Sequence, residues 1–214
     1  MRKQLFFIFL YLFTVANLLA QATEWELVKD EDGIKIYSRQ ISKQVSLKEL
    51  RVVSEVKGTL SSIIAVFSEK SEFPKWVYGC GSAEMLEIVS ATETYHYQTT
   101  EMPWPVQNRD LIVHTVIKQD PNTKVITMDC TGAPDYRPVS KDYIRIRSYK
   151  AYWILTPKPN GIVEIDYTLN FDPGGNLPEW AVNMVAAEGP MKTVKNLRTR
   201  VADYKNVKLN YIKD

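Results

Sequence analysis

Residues able to shuttle protons, bind metal or attack an electrophile are few in this chain. It has two histidines, His96 and His114, and two cysteines, Cys80 and Cys130. Two histidines do not hold a metal without carboxylates at ligand spacing, and no such spacing is present. No serine sits in a G-x-S-x-G elbow. No glycine-rich loop joins a strand to a helix in the phosphate-cradling pattern, because Gly174-Gly175 lie between Pro173 and Pro178 without that spacing. No cofactor is implied. His96 and His114 fall on neighbouring strand-like runs. One reading makes a histidine a general base. The other puts one histidine in a cavity or core and the other at the surface. Cys80 and Cys130 either pair in an oxidising compartment or are two buried thiols that pack as small hydrophobes. Five tryptophans and twelve tyrosines supply large apolar bodies with polar tips. That suits a cavity holding an amphipathic ligand, and equally an ordinary core with internal hydrogen bonds.

These side chains are carried on an α+β chain. "WELVKDEDGIKIYSR" (Trp25 to Arg39) reads as a hairpin around an Asp/Gly turn, and Ser46 to Val56 as a third strand. Thr59 caps a helix over 59–69, with Leu60, Ile63, Ile64 and Phe67 on one face. Phe73, Pro74 and Trp76 mark a tight connector. Strands are then expected over 83–90, 92–101, 109–118, 124–131, 143–157 and 162–171, separated by Pro, Asn and Gly. In the last of these, Val163, Ile165, Tyr167, Leu169 and Phe171 share one face, as in a sheet with one covered side. From Pro178 to Val207 the period becomes helical, with Trp180, Met184, Ala187, Met191, Val194, Val201 and Tyr204 as the stripe. Gly189-Pro190 interrupts it, giving one bent helix or two short ones. About nine strands and two helical segments imply a curved antiparallel sheet wrapped around a long C-terminal helix.

The first 22 residues differ in kind. Arg2 and Lys3 precede the apolar block Leu5 to Phe13, and Ala20-Gln21-Ala22 is a small-x-small cleavage site. That layout is a secretory signal peptide, with a block too short to span a bilayer. The expected organisation is a signal peptide over 1–22, one domain over 23–207 and a tail over 208–214, exported to periplasm or medium after cleavage near Ala22. The first 22 residues hold two of the 27 basic residues and none of the 25 acidic ones, so the remainder has no net charge. That balance, with no basic run, argues against nucleic acid as a partner.

Three blocks together resemble a known family. "MPWPVQNRDLIV" (Met102 to Val113) is similar to the P-x-P-x-x-x-R-D signature of START domains, the steroidogenic-acute-regulatory-related lipid-transfer family. "YKAYWILTP" resembles a later strand of that family, and "DPGGNLPEWAVNMVAAEGP" its approach to the C-terminal helix. The similarity runs from about Trp25 to Tyr204. It implies a helix-grip (START/Bet v 1-like) fold with an internal apolar tunnel, and non-catalytic carriage of a lipid, fatty acid or sterol-like ligand. The implied protein is a monomer that touches a membrane transiently. Two other readings stay open: an aromatase/cyclase-type enzyme with His96 as base, and a protein-binding module with a filled core.

The resemblance also implies which residues line the tunnel. They are His96, Gln98 and Thr100 facing Leu111, Val113 and Thr115, with Arg147, Tyr149 and Trp153 on the later strand and Met184 and Met191 on the closing helix. Arg109 and Asp110 are expected to be structural. Of the positions matching a choline-binding aromatic cage, Tyr149 is aromatic, whereas Gln98 and Leu111 are not. Thr115 stands where sterol-binding members carry a basic partner. His96, Gln98, Thr115 and Arg147 would instead suit a hydroxyl, a carboxylate or an ester. Gly174, Gly175 and Pro178 are expected to form the hinge or gate, since hinge residues at element ends absorb dihedral change.

Overall fold

The alternating runs become the ten strands of one sheet. A computed structural model describes residues 24–40, 48–184 and 188–214. The expected signal peptide and its cleavage site, and Ala187 of the helical stripe, lie outside the described residues. The strands are β1 (Glu26–Glu31), β2 (Ile34–Gln40), β3 (Lys48–Lys57), β4 (Cys80–Ser90), β5 (Glu93–Thr100), β6 (Arg109–Gln119), β7 (Ile126–Gly132), β8 (Ile144–Arg145), β9 (Ser148–Lys158) and β10 (Ile162–Asp172). Their order is β1-β2-β3-β10-β9-β7-β6-β5-β4, with antiparallel neighbours throughout. Two-residue β8 pairs in parallel with the start of β6, at Arg109 and Asp110, a stretch that β7 does not reach.

The single strand expected over 143–157 is therefore two. Residues 146–147 interrupt it, and the side-chain parity changes across the break. Ile146 is buried, whereas Arg147 is exposed. Beyond the break, Ala151, Trp153 and Leu155 of β9 face inward with Val163, Ile165, Tyr167 and Leu169 of β10.

The first helix, α1 (Leu60–Ser68), begins where the sequence places it. Thr59 Oγ1 accepts from the Ser62 amide at 3.1 Å and Ser62 Oγ accepts from the Thr59 amide at 2.9 Å, a reciprocal cap. The connector then forms a short 3-10 helix over Lys70–Lys75. The C-terminal helical region contains α2 (Glu179–Asn183) and α3 (Gly189–Val201). Pro190 lies in the first turn of α3, where a proline costs no helical hydrogen bond. Through Met191, Val194, Leu197 and Val201, α3 is buried against β2, β3 and α1. At Gly58 the approach is so close that a Cβ there would lie 2.5 Å from Val201 Cγ1.

Three details differ from the sequence reading. Pro178 is the N-cap of α2 rather than a residue of its first turn. Its carbonyl accepts from the Ala181 and Val182 amides at 2.9 and 3.2 Å. Trp180 is exposed, and Ala181 is the buried residue of that turn. Residues 208–214, read as a tail, pack onto the domain: Ile212 is buried, and the Ser61 amide donates to Asp214 Oδ1 at 2.8 Å.

Candidate ligand-binding site

Between the concave face of the sheet, α1 and the C-terminal helices lies a cavity of about 390 Å3. Its walls are largely apolar, with Phe67, Leu111, Val113, Met128, Trp153 and Leu169 among them. Alternation on paired strands builds it. His96 of β5 stands opposite Val113 of β6, Gln98 opposite Leu111 and Thr94 opposite Thr115, so one face of the hairpin points inward. The residues expected to line a tunnel all line this cavity except Arg147 and Met191. The change of parity at 146–147 turns Arg147 outward, where it pairs with Asp135 at 2.8 Å in solvent, and Ile146 lines the cavity instead. On α3, Pro190 and Thr193 face the cavity, while Met191 turns into the core. Gly174 and Gly175, between the lining residues Pro173 and Leu177, and Pro178 just after them, lie outside the lining.

Aromatic rings form one end of the cavity. Phe67 and Phe73 each meet Trp76 edge-on at 5.1 Å, Phe67 meets Trp153 at 4.9 Å, and Trp153 stacks on Tyr167 at 3.8 Å. Phe73 also meets the His96 ring edge-on at 5.5 Å. His96 is buried, and its Nδ1 has no hydrogen-bond partner among the described residues. Burial, and then the charge of Lys70, hold its pKa well below the usual histidine value, with Gln98 acting in the opposite direction. His114, by contrast, is half-buried outside the cavity, with Nε2 2.8 Å from Glu93 and its ring stacked on Tyr95.

The sequence reading missed Lys70. It belongs to the 3-10 connector, is 94% removed from solvent, and lines the cavity. Its ammonium donates to the Phe67 carbonyl at 2.7 Å and sits 4.6 Å from the centre of the Phe73 ring. Burial lowers its pKa to about 8, with Cys130 acting in the opposite direction. Cys80 and Cys130 are free, buried thiols, and Cys130 lines the cavity. Burial is the main cause of their raised pKa values, about 12 and about 11. Thr115 donates to Cys130 Sγ at 3.7 Å.

Arg109 and Asp110 hold one end of the cavity together. Asp110 receives a two-pronged bond from Arg145, Nε to Oδ1 and Nη2 to Oδ2, both 2.8 Å, with both side chains buried. Arg145 also donates to the carbonyls of Pro134 and Arg137 at 2.6 and 3.2 Å, tying down the loop over 133–143. Arg109 donates to the carbonyls of Gln107, Pro173 and Gly174, the last two at 3.3 and 3.1 Å. It thereby binds the start of β6 to the joint before α2, and part of it reaches the cavity. The pairing of β8 with β6 brings Asp110 and Arg145 together.

Comparison with known proteins fits this arrangement. The family model described as START domain matches residues 13–206. The chain belongs to the START domain family. An uncharacterized protein of Pseudomonas aeruginosa is 32% identical over 180 residues, 84% of this chain and 88% of the relative. The phosphatidylcholine transfer protein of Bos taurus is 24% identical over 186 residues, 85% of each chain. Among solved structures, a STAR-related lipid transfer protein fragment from Xanthomonas axonopodis superposes with a TM-score of 0.76 at 32% identity. It covers 83% of this chain and 98% of that one. The START fold, an antiparallel sheet gripping a C-terminal helix, is thus shared with lipid-transfer relatives.

Proposed function

We propose that this START domain carries one hydrophobic ligand, a lipid, fatty acid or sterol-like molecule, enclosed in the cavity, and performs no chemistry on it. The observation that carries this reading is the largely apolar cavity of about 390 Å3 between sheet and helices. A filled core would serve a protein-binding module, and this core is not filled. The volume lies toward the lower end of the roughly 300–1,000 Å3 that encloses a drug-sized molecule. Each buried methylene is worth about 0.8 kcal/mol, so one acyl chain or ring system repays enclosure. Lipid-transfer relatives support the same reading, and the bovine relative is named for phosphatidylcholine. Catalysis has weaker support. Among the described residues no carboxylate bonds His96 to orient it, and its lowered pKa makes it a poor base near neutrality. Burial raises the pKa of the cavity thiol, Cys130, to about 11, so it is no nucleophile near neutrality.

In this reading α2 and the glycines before it form the gate, the protein works as an exported monomer, and exchange takes place at a membrane. Two exposed tryptophans support membrane contact. Trp104 follows the cavity residue Met102, and Trp180 lies between the cavity residues Leu177 and Met184. Tryptophan favours the interfacial zone of a bilayer. The deciding experiment is solvent extraction of purified protein followed by mass spectrometry. One dominant apolar species in molar proportion is the expected result. An empty extract, with no uptake of fatty acids, phospholipids or sterols by the delipidated protein, refutes carriage. N-terminal sequencing of protein recovered outside the cytoplasm checks export, and a chain still beginning at Met1 refutes cleavage near Ala22.

A further inference from the structure

We propose that the cavity selects a single-chain amphiphile with a carboxylate end, and that Lys70 and His96 hold that end. This rests on the carrier reading and adds the chemistry of the ligand's polar group. The first observation is an ammonium without a counter-ion. Lys70 has three donors and spends one on the Phe67 carbonyl. Among the described residues it forms no ion pair, although it is buried and lines the cavity. A buried charge is costly unless something pairs with it. The second observation is independent. His96 lines the same cavity, and its buried Nδ1 has no partner among the described residues. Both groups flank one ring, Lys70 Nζ at 4.6 Å and the imidazole centre at 5.5 Å from the centre of Phe73. Depending on its tautomer, the neutral imidazole presents either a donor or an acceptor at Nδ1 to an incoming carboxyl group.

The rest of the lining favours this end for the anion. Arg109, the other cation of the wall, already donates to three backbone carbonyls. It is four residues before Val113 on β6, about 13 Å along the strand, and Glu101 lines the wall beside it. A single ammonium matches one unit of negative charge. A carboxylate supplies that, whereas a phosphate monoester carries roughly −1.5 to −2 at neutral pH. A zwitterionic head would bring its own cation toward the Lys70 ammonium, and two like charges repel strongly in a buried site.

The test is calorimetric titration of delipidated protein with oleate, methyl oleate and lysophosphatidate, for the native chain, Lys70→Met and Lys70→Gln. The native protein should bind oleate roughly thirtyfold or more tightly than methyl oleate, the scale expected when one partner of a buried charge pair is lost. Lys70→Met and Lys70→Gln should bring the two ligands to parity by weakening oleate alone, and retained binding of methyl oleate shows that the variants are folded. Equal affinity for ester and acid in the native protein overturns the proposal, as does an acid preference that survives both substitutions. Tighter binding of lysophosphatidate than of oleate overturns the carboxylate assignment in favour of a phosphate on the same cation. Binding of none of the three by native protein, when other lipids are extracted from it, overturns this proposal and leaves the carrier reading standing. If no lipid binds at all, carriage itself fails.

Discussion

Burying Lys70 leaves a signature in the ligand-free protein that needs no knowledge of the ligand. Its pKa falls from 10.5 to about 8 in the fold. For a base, a folded pKa below the unfolded one means that the unfolded chain binds more protons between those values. Stability therefore rises with pH across that window. Below pH 8 the ammonium is charged in both states and the full penalty applies. At about 1.4 kcal/mol per pKa unit, the penalty is about 3 kcal/mol at pH 7, about 2 at pH 9 and under 1 at pH 10. Lys70→Met removes it at every pH. The variant also loses the bond to the Phe67 carbonyl, worth roughly 1.5–3 kcal/mol for a charged donor, so the absolute gain at pH 7 is small. The pH dependence of the difference is the decisive quantity. Relative to Lys70→Met, the native protein should gain about 2.5 kcal/mol between pH 7 and pH 10 in urea unfolding of delipidated samples. Tyrosines and other lysines titrate in both proteins and cancel. A difference that stays constant within about 0.5 kcal/mol, or changes in the opposite sense, refutes the argument. Saturating oleate should also flatten the difference, because a bound carboxylate restores the ammonium's pKa.

Three further outcomes follow from the frame of the cavity. Asp110→Asn should cost about 3–5 kcal/mol in urea unfolding, because it strands the buried Arg145 guanidinium; a loss under about 1 kcal/mol would show that the pair is dispensable. Gly174 and Gly175 both sit at φ +66, and a Cβ on either would come within 3.1–3.2 Å of Ile144. Replacing both with alanine should destabilise by about 2 kcal/mol or more and slow ligand exchange more than it weakens affinity. Stopped-flow exchange at native rates in a folded variant would reduce the segment to a turn. Trp104→Ala should slow ligand transfer to phosphatidylcholine vesicles several-fold without changing ligand affinity, since that ring is 92% exposed; unchanged transfer rates would remove Trp104 from membrane contact.

Period-two alternation made one side of the cavity legible from sequence. His96, Gln98 and Thr100 could be set against Leu111, Val113 and Thr115 because both strands run unbroken through those residues. The same rule misplaced Arg147. Residues 143–157 read as one strand although their apolar positions shift from even (Ile144, Ile146) to odd (Tyr149, Ala151, Trp153), and the pairing of β8 with β6 places that change of step at 146–147. The Asp110–Arg145 pair was illegible for the same reason, since 35 residues separate its members and topology alone joins them. Met191 failed differently: a helical stripe identifies a buried face, but that face is shared here between cavity and core.

Lys70 shows why the polar group of a ligand is harder to read than its apolar chain. The segment "SEKSEFPKW" carries four charged residues within a few positions, and nothing in their order says that one is buried while Glu69 and Lys75 are exposed. What buries Lys70 is tertiary. The Ser68 hydroxyl bonds the Ile64 carbonyl as α1 ends, the 3-10 turn reverses the chain, and Phe73 and Trp76 pack inward on either side of the joint. That geometry carries the lysine stem under the aromatic rings and leaves its ammonium in the cavity. Apolar walls come from many residues and average into a periodic pattern. A single charge contributes no period, so the group that would distinguish a carboxylate from a neutral ester becomes visible only once the fold is assembled around it.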